Sequence, residues 1–64
     1  MSYSSFVRKM NILASQTGLA VWVNDNSDGK LVARFSDGTT ITGNSSSYKV
    51  TVKWGSGHAA MAEI

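Results

Sequence analysis

The sequence contains no cysteine and no proline, and among its 64 residues it has one histidine and four acids. Without cysteine the chain can form neither a disulfide nor a thiolate metal site. Because so few other metal-binding side chains are present, we expect no structural metal and no cofactor. The fold must therefore be held together by the packing of a sheet and a helix, or by a partner subunit. A chain of this size buries only about 60% of the surface of its unfolded form, so we expect modest stability.

Long apolar runs are also missing. No stretch approaches the ~18 residues that are needed to span a bilayer. The segment after Arg8 and Lys9 is too interrupted by polar residues for a signal peptide. We therefore expect a cytoplasmic protein with one domain over residues 1–64. The net charge of +2 permits a polyanionic partner but does not require one.

Residues Ser4 to Thr17 have the pattern of one amphipathic helix. A serine near its start can cap the free backbone N–H groups, and Gly18 can end it in the left-handed conformation. The expected apolar stripe consists of Phe6, Met10, Leu13 and Thr17, widened by Val7 and Ala14.

The rest of the chain has the pattern of an antiparallel meander, in which the clearest part is an alternation of apolar and polar residues from Tyr48 to Trp54. Turn-forming residues separate the strands, at Asn24 to Gly29, Ser36 to Gly38 and Gly43 to Ser47. The segment His58 to Ile64 fits either a short helix turn or a fifth strand that closes on the first. The predicted strands are Leu19–Val23, Lys30–Phe35, Thr39–Thr42 and Tyr48–Trp54.

The apolar pattern also predicts the register of the second hairpin. A three-residue loop, Ser36 to Gly38, would pair Ala33 with Ile41 and place both on the same face as Leu31 and Phe35. A two-residue loop would shift the register by one and send Ile41 to the opposite face. We therefore predict the three-residue loop, with Gly38 in the left-handed conformation.

These elements predict an α+β fold, in which an N-terminal helix precedes a four- to five-stranded antiparallel meander. The helix would cover one face of the sheet or plug the open end of a curled one. Small SH3-like and Sm-like barrels have the same order of elements, so a closed barrel is the alternative.

A basic sheet face is the most suggestive functional feature. Side chains that alternate away from the core would place lysines, an arginine and three threonines on one surface, and Trp22 beside them. Such a surface could bind phosphates by charge and stack a base on the indole. A solvated sheet face would have the same composition, because lysine and threonine are common on exposed strands. The candidate nucleic-acid-binding residues are Trp22, Lys30, Arg34, Lys49 and Lys53.

The two tryptophans have different expected environments. Trp54 continues the stripe of Tyr48, Val50 and Val52, so we expect it in the core. Trp22 alternates with Val21 and Val23, and the pattern slightly favours its burial under the helix over exposure as a contact residue. Exposure would mark an interface.

Nothing in the sequence predicts an enzyme. His58 is the only histidine, and no serine lies in a nucleophile-elbow motif. The first hypothesis is a small nucleic-acid-binding module, for DNA or RNA. The alternative is a protein-interaction module, such as an accessory factor or inhibitor of viral or mobile-element origin that docks on a larger host protein. Free strand edges would also allow a homo-oligomer.

Overall fold

The chain folds as a helix followed by a five-stranded sheet. The computed structural model describes residues 2–25 and 29–63. Each strand is antiparallel to the next, in the order β1-β2-β3-β4-β5, so the predicted α+β meander is confirmed. The elements are α1 (Tyr3–Thr17), β1 (Val21–Asp25), β2 (Lys30–Phe35), β3 (Thr40–Asn44), β4 (Lys49–Lys53) and β5 (Ala59–Glu63).

The sheet is open, and the alternative of a closed barrel is wrong. The fifth strand pairs with β4 rather than with β1. A turn after β4 directs the chain back, because the Trp54 N–H donates to the His58 carbonyl at 2.8 Å and the Gly57 N–H donates to the Trp54 carbonyl at 2.9 Å. The segment that the sequence left undecided is therefore a strand, but it lies at the far edge of the sheet.

Both ends of α1 are capped by residues that the sequence suggested. The Ser2 hydroxyl accepts the Ser5 N–H at 3.2 Å, which satisfies one of the free donors of the first turn. Gly18 has a φ of 72° and donates its N–H to the Ala14 carbonyl, as a left-handed C-cap does.

The helix covers one face of the sheet, mainly over β1 and β2. Its buried stripe is narrower than predicted, since Phe6, Met10 and Ala14 are buried while Leu13 and Thr17 are exposed. The predicted stripe was therefore wrong at its C-terminal half. Leu13 and Thr17 instead border an open cavity, together with side chains from β2, β3 and β4.

The predicted register of the second hairpin is confirmed. Ala33 pairs with Ile41, the Phe35 N–H donates to the Thr39 carbonyl at 2.8 Å, and Gly38 has a φ of 93°. The buried core takes side chains from α1 and from one face of the sheet. Its members are Phe6, Met10, Ala14, Leu31, Ala33, Phe35, Ile41 and Val50.

Gly43, which was predicted to begin a turn, instead lies buried within β3. A Cβ atom at this position would lie 3.2 Å from Val50 Cγ1 and 3.4 Å from Phe6 Cε1. The ring of Phe6 thus packs directly on the strand backbone, which needs a residue without a side chain. The glycine was therefore a mark of close packing and not of a loop.

The apolar stripe of the fourth strand ends sooner than predicted. β4 stops at Lys53, and Tyr48 and Trp54 flank it with exposed fractions of 63% and 44%. The prediction of a buried Trp54 is wrong, because the side-chain alternation holds only while the backbone stays in the sheet.

The first hairpin is confirmed, with a shift in its boundaries. β1 begins two residues later than predicted and includes Asp25, which pairs with Leu31. The predicted turn from Asn24 to Gly29 falls partly on residues 26–28, which lie outside the described residues. A helix that could span a lipid bilayer is absent from the described part of the chain.

Candidate nucleic-acid interface

All five candidate residues lie on the sheet face that α1 leaves uncovered. Because side chains alternate along a strand, the neighbours of the buried residues in β1, β2 and β4 point to the opposite face. Each of the five side chains is exposed. They are Trp22 on β1, Lys30 and Arg34 on β2, and Lys49 and Lys53 on β4.

Three of these residues belong to one row that crosses the sheet. Trp22 pairs with Arg34, Arg34 pairs with Thr40, and Thr40 pairs with Lys53. Adjacent strands lie about 4.8 Å apart, so Arg34 and Lys53, two strands apart, have backbones separated by roughly 10 Å. Trp22 and Arg34 are therefore direct cross-strand neighbours on this face, and a second cation, Lys53, lies two strands away from Arg34.

The other two cations form a second, parallel pair. Lys30 precedes Arg34 by four residues on β2, and Lys49 precedes Lys53 by four residues on β4. Both strands run in the same direction because each is antiparallel to β3. At about 3.3 Å per residue, the four positions form a quadrilateral of roughly 10 Å by 13 Å.

The centre of this quadrilateral is uncharged. A second row of paired residues crosses it, with two hydroxyls in the middle and the thioether of Met61 at the β5 end, where it is 73% exposed. The members of this row are Asn24, Val32, Thr42, Thr51 and Met61.

Sequence reasoning missed Val32 and Met61 as members of the face. Val32 could have been assigned to this face from the sequence, because it lies two residues from both Lys30 and Arg34 on the same strand. Met61 could not be assigned because the segment His58 to Ile64 had no predicted secondary structure.

The acidic residues in the described part of the chain lie in different settings. Asp37 does lie in the β2–β3 turn, where its carboxylate accepts the Thr39 N–H at 2.9 Å. Asp25, however, is the last residue of β1, and Glu63 on β5 occupies the register position opposite Lys49. The position paired with Lys49 is therefore acidic in sequence, whereas the positions paired with Arg34 and Lys53 are not.

Trp22 is 61% exposed, so the slight preference for its burial was wrong. The helix packs on the opposite face of β1, against Val21 and Val23, and no element covers the face of Trp22 in the described part of the chain. An indole of this exposure offers a flat apolar surface at the position paired with Arg34.

Comparisons with protein-family models, with curated proteins and with solved structures found no match for this chain. Its function therefore has to be argued from the arrangement of its own residues.

Proposed function

We propose that the protein binds single-stranded nucleic acid on the uncovered face of its sheet, without catalysing a reaction. The observation that carries this proposal is the row of Trp22, Arg34, Thr40 and Lys53, in which an exposed indole and two cations follow one line across four strands. Lys30 and Lys49 extend the positive charge along the strands.

The chemistry of a nucleic-acid strand matches this surface. Lysine and arginine side chains neutralise phosphates, and a base stacks on an aromatic ring whatever its identity. The indole of Trp22 can stack only on a base that is not already paired, so a single strand is favoured over a duplex. The threonine hydroxyls between the cations can donate to phosphate or sugar oxygens.

Charge-removing variants with a matched control test this proposal. Arg34→Gln combined with Lys53→Gln lowers the net charge from +2 to 0 (+2 − 2), and so does Arg8→Gln combined with Lys9→Gln on the helix. If four cations contact phosphates, the slope of log affinity against log salt is about −3, at about −0.7 per contact. We expect the sheet variant to reduce the magnitude of this slope by about 1 to 1.5, whereas the helix variant leaves it nearly unchanged.

The stacking contribution has its own control. Trp22→Ala should lower the affinity for an end-labelled single strand by about 1–3 kcal/mol, while Tyr48→Ala, which removes an equally exposed aromatic outside the face, should not. Fluorescence anisotropy of the labelled strand measures all four variants. Equal losses in the sheet and helix variants, or no binding at low salt, would refute the proposal.

A protein-interaction module is the second candidate, and a separate observation favours it. Tyr48, Trp54 and Met61 are large and exposed, and all three lie on the β4–β5 hairpin or directly beside it; large exposed apolar side chains are a feature of protein contact surfaces. The test is cross-linked capture of a partner from a host lysate. A captured protein that is lost in the Tyr48→Ser, Met61→Ser variant but retained in the Arg34→Gln, Lys53→Gln variant would favour this candidate.

A further inference from the structure

An apolar cavity opens at the end of the molecule where α1 stops and the β2–β3 turn begins. Its volume is about 300 Å³, at the lower end of the range for small-molecule pockets. Five apolar side chains contributed by the loop after α1, the helix and three strands form most of its wall: Leu13, Leu19, Phe35, Ile41 and Val52. The cavity is separate from the basic face, because Leu19 and Val52 pack against the core on the helix side of the sheet.

The polar groups around the cavity offer acceptors rather than donors. The Thr17 hydroxyl already donates to the Leu13 carbonyl at 2.9 Å. The Thr39 N–H donates to the Asp37 carboxylate at 2.9 Å. Asp37 is the one charged residue among the described residues that line the cavity, and its carboxylate carries more lone pairs than this turn uses.

Two further features favour a positive charge at the mouth. The indole of Trp54 lines the cavity while remaining 44% exposed, and the face of an indole attracts cations. The last turn of α1, which contributes Thr17, has no basic residue to offset the partial negative charge of its free carbonyls.

We propose that this cavity binds a small organic cation with an apolar body, of the size of a phenylalkylamine. The apolar body fills the space between Leu13, Phe35 and Val52, and the ammonium group lies between the Asp37 carboxylate and the indole of Trp54. A neutral or anionic compound with the same body lacks one or both of these polar contacts.

The close packing of two turns at the mouth favours a preformed site. The β4–β5 turn packs on the β2–β3 turn so closely that a Cβ on Gly55 would lie 2.9 Å from the Asp37 carbonyl oxygen. Trp54, which precedes this glycine, and Asp37 are thus held next to each other by backbone contact, and less ordering is needed when a ligand binds.

Titration of the isotope-labelled full chain with phenethylamine, followed by amide NMR, tests the proposal. Phenethyl alcohol and hydrocinnamate serve as neutral and anionic probes with similar bodies. We expect saturable shifts at Leu13, Leu19 and Thr39 with a dissociation constant of roughly millimolar size, as suits a ligand of so few atoms. The alcohol should bind about twofold to fivefold more weakly, which is the range for an exposed charge pair.

Asp37→Asn provides the decisive variant, since asparagine keeps an oxygen that accepts the Thr39 N–H and so preserves the turn. It should weaken phenethylamine about twofold to fivefold and leave phenethyl alcohol unchanged. Equal affinity of the amine and the alcohol in both proteins would overturn the cation preference. Absence of saturable shifts at the cavity would overturn the site itself. Neither outcome bears on the basic face, because its residues lie on the other side of the sheet.

Discussion

Among the residues that the structure describes, Asp37 is the one whose ionisation the fold changes most clearly. A hydrogen bond from the Thr39 backbone N–H, and a second from the Thr39 side chain, hold the pKa of this carboxyl below its ordinary value of 3.8. The charged form is favoured because both donors bond to it. The carboxylate is fully exposed, so solvent reduces what these bonds contribute to stability.

This pKa direction predicts a pH dependence. Since the folded pKa is lower than the unfolded one, the stabilisation is present above about pH 4 and is lost as the pH falls through the folded pKa. Asp37→Asn has no such titration. We therefore expect the melting-temperature difference between wild type and Asp37→Asn to shrink on acidification from neutral pH. Calorimetry at several pH values measures it, and a difference that stays constant would contradict the shift.

At the scale of elements, α1 depends on the cap at its first turn. Ser2→Ala removes the acceptor of the Ser5 N–H and should cost about 1 kcal/mol. For a domain of this size that corresponds to a loss of roughly 4–8 °C in melting temperature. Ser4→Ala is the matched control, because Ser4 is an exposed serine within the first turn. Similar losses in both variants would show that the cap is not the cause.

The elements also show which sequence signals determine structure. The helix and the second hairpin were predictable because two independent signals specify each of them. The helix has a cap and a helical period of apolar residues, and the hairpin has a characteristic loop and an apolar face. A slip of one residue would have turned Ile41 away from the core. Gly43 and Trp54 were misassigned because each signal was local. A glycine cannot indicate that Phe6 will pack on it, and an alternation cannot indicate where β4 leaves the sheet.

At the scale of the whole molecule, the helix and the sheet share one core. Phe6 is fully buried between them and contacts the backbone of β3 at Gly43 through its ring. The sheet side chains of this core have no other layer to bury against in the described part of the chain. Helix and sheet should therefore unfold together.

Phe6→Leu tests that coupling. The smaller side chain leaves a partial void, which should cost roughly 1–2 kcal/mol, less than full truncation to alanine. Far-UV circular dichroism follows the helix and tryptophan fluorescence follows the sheet, and both transitions should move to lower temperature by the same amount. Separate midpoints would show that the two layers are not one cooperative unit.

The candidate interface was predictable only in part, because some of its features depend on how the helix and the strands assemble. Lys30, Arg34, Lys49 and Lys53 follow from the alternation along single strands. The exposure of Trp22 depends on which face α1 covers, and the positions of Met61 and Glu63 depend on a strand that has no pattern of its own. These are properties of the assembled sheet and helix.

The order of the strands has a consequence for how the chain reaches this structure. Every strand pairs with its neighbour along the chain, so each pairing closes a short loop at a small entropic cost. Sheets built from such local contacts fold faster than those that need distant pairings. Because the sequence contains no proline, no slow prolyl isomerisation delays it. A newly made copy should therefore expose its unpaired strands only briefly, which limits aggregation through them.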